Sequence, residues 1–189
     1  MDDIGIQLQE SIDTKKALLS TDLNVIRNIA DVIIKTFKNN HRIYLIGNGG
    51  SAADAQHIAG ELVGRFKINR RPLPAVALTT DSSVMTSIAN DFGYDTCFTR
   101  QVEALITQGD ILLAFSTSGN SKGIVNAVKI ARTLGAITIG FTGESGGLLK
   151  DIADICLKIP SNNTPRIQEC HITVGHILCS IVEKELFRQ

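Results

Sequence analysis

The chain has 189 residues, 43% of them apolar, 5% aromatic and none of them tryptophan, which suits one compact domain with a full core, or a domain carrying a helical extension. Nineteen lysines and arginines balance nineteen aspartates and glutamates, so there is no basic footprint for nucleic acid and no polybasic face for a membrane. The charges are scattered through helical segments and read as a solvated surface.

The acidic opening stretch MDDIGIQLQESIDTKK lacks the apolar core of a signal peptide. Across residues 4–38, Leu8, Ile12, Leu18, Leu19, Leu23, Ile26, Ile29, Val32 and Ile33 recur at helical spacing, with a break at STD, 20–22. Two helices are expected here. Alone they would expose an apolar stripe, so they must lie on the main domain or on another copy of it.

From residue 43 the rhythm changes. RIYLIG, AVALTT, DILLAFS, AITIGFT and DICLKIP are short, nearly continuous apolar runs that suit strands buried on both faces. Helical patterns at 51–66, 82–90, 96–107, 121–134 and 145–153 separate them, and RIQECHITVGHILCSIVEKELF forms a long closing helix. Such alternation predicts an α/β fold with a parallel sheet flanked by helices. No apolar run approaches the roughly 18 residues needed to cross a bilayer. Cys97, Cys156, Cys170 and Cys179 form no C-x-x-C pair and read as small core residues in a reducing compartment, so a cytoplasmic protein is expected.

Two strand-to-helix loops stand out. GNGGSAAD, 47–54, places Gly47, Gly49 and Gly50 before Ser51, where a helix begins, so backbone N–H groups and the positive dipole end face the loop. STSGNSKG, 116–123, gathers four hydroxyls around one glycine before another helix. Ser51 and Ser121 would suffice as simple N-caps, but capping needs one hydroxyl per helix, and both loops belong at the carboxyl ends of strands, where open α/β sheets bind ligands. Gly47, Gly49 and Ala52 also match the dinucleotide pattern G-x-G-x-x-A. That pattern needs an acidic residue about 20 positions on, whereas Asp81 follows Gly47 by 34. A dehydrogenase fits poorly.

His57 and Glu61 stand at i and i+4 and share one face of the first domain helix. Alone they would be a surface pair. Counted from Ser51, however, they lie about 9 and 15 Å along the helix, and an extended seven-carbon sugar phosphate spans about 10 Å. On the closing helix Gln168 and His176 share one ridge, while His171 points elsewhere and is given no chemical role.

IGNGGSAADAQHIAGEL, LTTDSSVMTSIANDFGYD, FSTSGNS, FTGESGG and RIQECHITVGHILC together closely resemble the phosphoheptose isomerase family of sugar isomerase (SIS) domain enzymes, in order and from about residue 40 onward. The resemblance implies a SIS-type flavodoxin-like parallel sheet over 41–189, with residues 1–40 as an N-terminal helical extension for oligomerisation. It implies a cytoplasmic homotetramer with its sites at subunit interfaces. The expected reaction is sedoheptulose 7-phosphate to D-glycero-D-manno-heptose 7-phosphate, for the heptose of bacterial lipopolysaccharide or related surface glycans. By the same resemblance Asn48, Gly49, Gly50, Ser51, Glu61 and Gln168 contact the substrate, Ser116, Thr117, Ser118 and Ser121 hold its phosphate, and Asn90 and Asp91 meet sugar hydroxyls. His57, Glu61, Gln168 and His176 match a zinc-binding set, and Glu61 and His176 an acid–base pair.

Interconverting a 2-ketose and an aldose moves a proton between neighbouring carbons through a cis-enediol, which requires a base and stabilisation of the developing oxyanion. Glu61 is expected as the base at the first carbon, His176 as the group moving protons on the oxygens, and zinc as the polariser. The competing expectation is a non-catalytic SIS protein that binds a sugar phosphate or a partner such as a replication initiator. Such a binder need not keep His57, Glu61 and His176 together.

Overall fold

The computed structural model describes residues 2–21 and 23–187; Met1, Asp22, Arg188 and Gln189 lie outside the described residues, Asp22 being the last position of the expected STD break. Helices α1 (Asp3–Leu19) and α2 (Asn24–Lys38) precede the first strand. Asp2 caps α1 by accepting the Gly5 N–H at 2.8 Å, which satisfies one of the amides a helix start leaves unpaired. The strands are β1 (Ile43–Gly47), β2 (Ala75–Ala77), β3 (Ile111–Phe115), β4 (Ile137–Thr142) and β5 (Ile155–Lys158), and every ladder is parallel in the order β2-β1-β3-β4-β5. Between them run α3 (Gly50–Val63), α4 (Ser82–Phe92), a 3-10 turn (Tyr94–Thr96), α5 (Cys97–Leu105), α6 (Lys122–Thr133) and the short α7 (Leu149–Ile152), with α8 (Thr164–Phe187) last.

The strand alternation divides the core. Ile43, Leu45, Ile111, Leu113, Phe115, Ile139 and Phe141 face α2, α3 and α8, while Tyr44, Ile46, Leu112 and Ala114 face α5, α6 and Leu149 of α7. β1 and β3 are buried along their whole lengths, as continuous apolar runs require. β2 is an edge, and Val76 on it is exposed. α3 therefore leaves β1 toward one face and α6 leaves β3 toward the other, which makes the carboxyl ends of these adjacent strands a topological switch point.

Some helices are shorter than their patterns. α3 stops at Val63 because Gly64 follows. The stretch expected at 145–153 forms a single turn, because Gly146 and Gly147 adopt φ of 73° and 52°, which no right-handed helix tolerates. The two leading helices also differ from each other. α2 buries Ile26, Ile29, Ile33 and Phe37 against the domain, whereas α1 buries Leu18 and leaves Ile4, Leu8, Ile12 and Leu19 exposed. α1 is anchored instead by Arg166 of α8, which donates to the Gln7 carbonyl at 2.6 Å and to Glu169 at 2.6 Å. All four cysteines are free thiols, with Cys97, Cys170 and Cys179 buried in the core.

Candidate functional site

The loop after β1 is shaped by its glycines. A Cβ on Gly47 would collide with the Ser51 carbonyl, and Gly49 holds φ +57° at the start of α3. Gly49 is the N-cap, α3 has no side-chain cap, and Ser51 lies buried in the first turn. The Ser51 hydroxyl is therefore not spent on capping. Asn48 accepts a 2.8 Å hydrogen bond from the Tyr94 hydroxyl, which brings the segment after α4 beside this loop. Asp81, the acid too distant for a dinucleotide site, caps α4 by accepting the Val84 N–H at 2.9 Å.

The loop after β3 is braced from behind. Gly119 and Asn120 accept the Leu149 and Leu148 N–H groups, and Thr117 accepts that of Gly143. Gly119 holds φ +66°, and a Cβ there would strike the Gly146 carbonyl. Ser121 is the N-cap of α6 but makes no side-chain capping bond. Ser118 accepts the Asn120 N–H at 3.1 Å, and Ser116 is buried at the strand end. The loop thus presents hydroxyls and the amino end of a 12-residue helix, an arrangement suited to a phosphate.

α3 and α8 lie side by side in one direction. Gly50 touches the Gln168 amide, Ile58 fills the space above Gly175, and His57 Nε2 lies 2.8 Å from His176 Nε2. Glu61 Oε1 is 3.3 Å from His57 Nε2, and the donor atoms of His57, Glu61 and His176 all lie within 4.8 Å of one another. Two imidazoles and a carboxylate form the donor set of a catalytic zinc site with an open position. Tetrahedral ligands at about 2.0–2.1 Å from a metal lie roughly 3.3 Å apart, so these three residues fit such an ion with small side-chain shifts. Gln168 sits against Gly50 at the start of α3, two turns along α8 from His176 and on the same side.

Asn90 and Asp91 bond to each other at 2.8 Å at the exposed end of α4. They do not join the histidine cluster within one subunit. His171 is fully buried, its Nε2 3.2 Å from the Thr142 carbonyl and its ring packed on Phe115 and Phe141. Burial pulls its pKa down to about 4, against the hydrogen bond to Thr142, so it stays a neutral core residue.

Asp54 and Phe66 beside the cluster, and Tyr94 beside the loop after β1, escape inspection of the sequence. Asp54 stands one turn before His57. Its Oδ2 is buried without a hydrogen-bond partner, and burial pushes its carboxyl up to about 6 against the opposing pull of His57. Spacing i, i+3, i+7 with His57 and Glu61 was the available signal. Phe66 stacks on the His176 ring, and Tyr94 holds Asn48. No local pattern marks either.

A family model described as SIS domain matches residues 8–143. A phosphoheptose isomerase of Roseiflexus sp. (strain RS-1) is 51% identical over 183 residues, covering 97% of this chain and 93% of that protein. Among solved structures, the phosphoheptose isomerase of Neisseria gonorrhoeae superposes with a TM-score of 0.91 at 38% identity, covering 96% and 97% of the two chains. That of Francisella tularensis gives 0.94 at 36% identity, covering 97% of each.

Proposed function

The chain belongs to the phosphoheptose isomerase family of SIS-domain proteins, and from this premise we propose how its own residues carry out the reaction. The enzyme is an aldose–ketose isomerase, and the interconversion is that of sedoheptulose 7-phosphate and D-glycero-D-manno-heptose 7-phosphate. Its product supplies heptose for bacterial lipopolysaccharide or related surface glycans.

Ser116, Thr117, Ser118 and Ser121 hold the phosphate at the amino end of α6, in register with its positive dipole end. Asn48, Gly49, Gly50, Ser51 and Gln168 line the path of the sugar toward α3, and Asn90 and Asp91 meet its hydroxyls. Glu61 removes the proton from the carbon beside the carbonyl and returns it to the neighbouring carbon. His176 passes protons between the two oxygens of the enediol, and His57, 2.8 Å away, holds its ring in place. Zinc, held by His57, Glu61, Gln168 and His176, supplies a Lewis acid for the oxygens of the substrate when bound. We place the enzyme in the cytoplasm as a homotetramer. Supporting this, no described helix is long and apolar enough to cross a membrane, and the apolar side of α1 lacks a cover within one subunit.

The observation that carries the proposal is the meeting of His57, Glu61 and His176 from two helices more than 100 residues apart in sequence. A protein that only binds sugar phosphate has no use for that convergence. Glu61→Gln tests it with purified enzyme and sedoheptulose 7-phosphate. Loss of a general base lowers kcat by about 10²–10⁴-fold, and full activity in a folded variant would remove Glu61 from the role of base.

A further inference from the structure

We infer that Phe66 is a positioning residue for His176, held over its ring by the buried Glu183–Arg70 pair; this rests on the acid–base role assigned to His176 above. The Phe66 and His176 rings have centroids 5.7 Å apart and planes 21° from parallel, while His57 meets His176 edge-on at 4.9 Å. His176 is thus fixed by a flat apolar wall and by its Nε2 contact with His57.

Phe66 belongs to no helix or strand, so its position needs another cause. Glu183 provides it. Its carboxylate accepts the Phe66, Lys67 and Ile68 N–H groups at 3.0, 2.7 and 2.9 Å, and the Arg70 Nε–H at 3.0 Å. Arg70 in turn donates to the Leu62 and Glu61 carbonyls at 2.8 Å each. The side chains of Arg70 and Glu183 are 2% and 3% exposed. Glu183 stands two turns beyond His176 on α8, so one helix carries both the imidazole and the strut that sets the wall against it. The strut also grips the main chain of Glu61. A buried ion pair is seldom the cheapest filler for a core. Here it clamps three consecutive amides, which fixes the backbone under Phe66 whatever the neighbouring side chains are.

A freely turning imidazole would leave its geometry relative to His57 and Glu61 undefined. Removing the wall therefore affects turnover and metal binding rather than substrate capture. Phe66→Ala, Phe66→Tyr and His176→Gln are compared with the parent enzyme in kcat, KM, Zn²⁺ affinity by chelator competition, and thermal midpoint. Supporting groups around a metal site are worth about 10–100-fold in affinity or activity. Phe66→Ala is expected to lose that much in kcat and in Zn²⁺ affinity with KM within about two-fold, and Phe66→Tyr to recover both. Parent-like kcat and Zn²⁺ affinity in Phe66→Ala, with His176→Gln inactive, would overturn the inference alone. So would a fall in kcat matched by an equal loss of folded protein. Parent-like activity in His176→Gln would instead overturn the acid–base role on which it rests.

Discussion

Asp54, half-buried, and His171, fully buried, are both ionisable, yet pH acts on them in opposite directions. His171, with a pKa near 4 in the fold against 6.5 when exposed, stays neutral where the unfolded chain takes up a proton. Its contribution is complete above pH 6.5 and is lost as pH falls toward 4. Asp54 is raised from 3.8 to about 6, so its charged form costs stability above pH 6, and that cost is relieved as pH falls toward 3.8. In metal-free protein, His171→Leu should flatten the decline in urea midpoint between pH 7.5 and pH 5. Asp54→Asn should raise the midpoint at pH 7.5 and lose that advantage at lower pH. At this scale the sequence was uneven. His57 and Glu61 were legible as a pair because i, i+4 spacing aligns them, whereas His176, on another helix, was joined to them only through the family resemblance. Glu183 and Arg70 were not legible, because a charged residue on a helix or in a loop looks solvated, and only the tertiary fold buries these two.

Among the elements, the pairing of α3 with α8 decides whether the cluster exists. Gly175 allows it, because any Cβ there would overlap Ile58. Gly175→Ala should cost about 1–3 kcal/mol by overpacking and lower kcat as His176 moves from His57, read from denaturation and steady-state kinetics. Glu183→Ala leaves Arg70 buried and unpaired, a loss of about 3–5 kcal/mol. Glu183 accepts four hydrogen bonds that together outweigh its burial and hold its carboxyl below the ordinary value of 4.5. Its contribution is full above pH 4.5 and fades as pH drops below that value. On the loop after β3, Gly119→Ala meets both a left-handed backbone, costing roughly 1–2 kcal/mol, and the Gly146 carbonyl. KM for the phosphorylated substrate should rise more than kcat falls. Long helices were readable from their period and strands from unbroken apolar runs, since β1 and β3 are buried on both faces. α7 was not, because its apolar spacing says nothing of the two left-handed glycines ahead of it.

At the level of the whole molecule, the strand order puts β1 and β3 side by side while sending their helices to opposite faces, and the loops after these strands lie at that divide. The order of elements followed from strand–helix alternation. Which copy covers α1 did not, since the exposed stripe of Ile4, Leu8 and Ile12 fits its own domain or another subunit equally well on pattern. Replacing Leu8 and Ile12 together by lysine should shift the sedimentation coefficient toward that of a single subunit, while the midpoint of unfolding for the domain core changes little.

α8 is translated after every other element of the site, and it brings Gln168 and His176 to a loop and a helix already synthesised. It also seals the sheet face over Phe115 and Phe141. A ribosome-bound chain stopped before this helix thus lacks the Gln168 and His176 side chains and leaves Phe115, Phe141 and their apolar neighbours open to water.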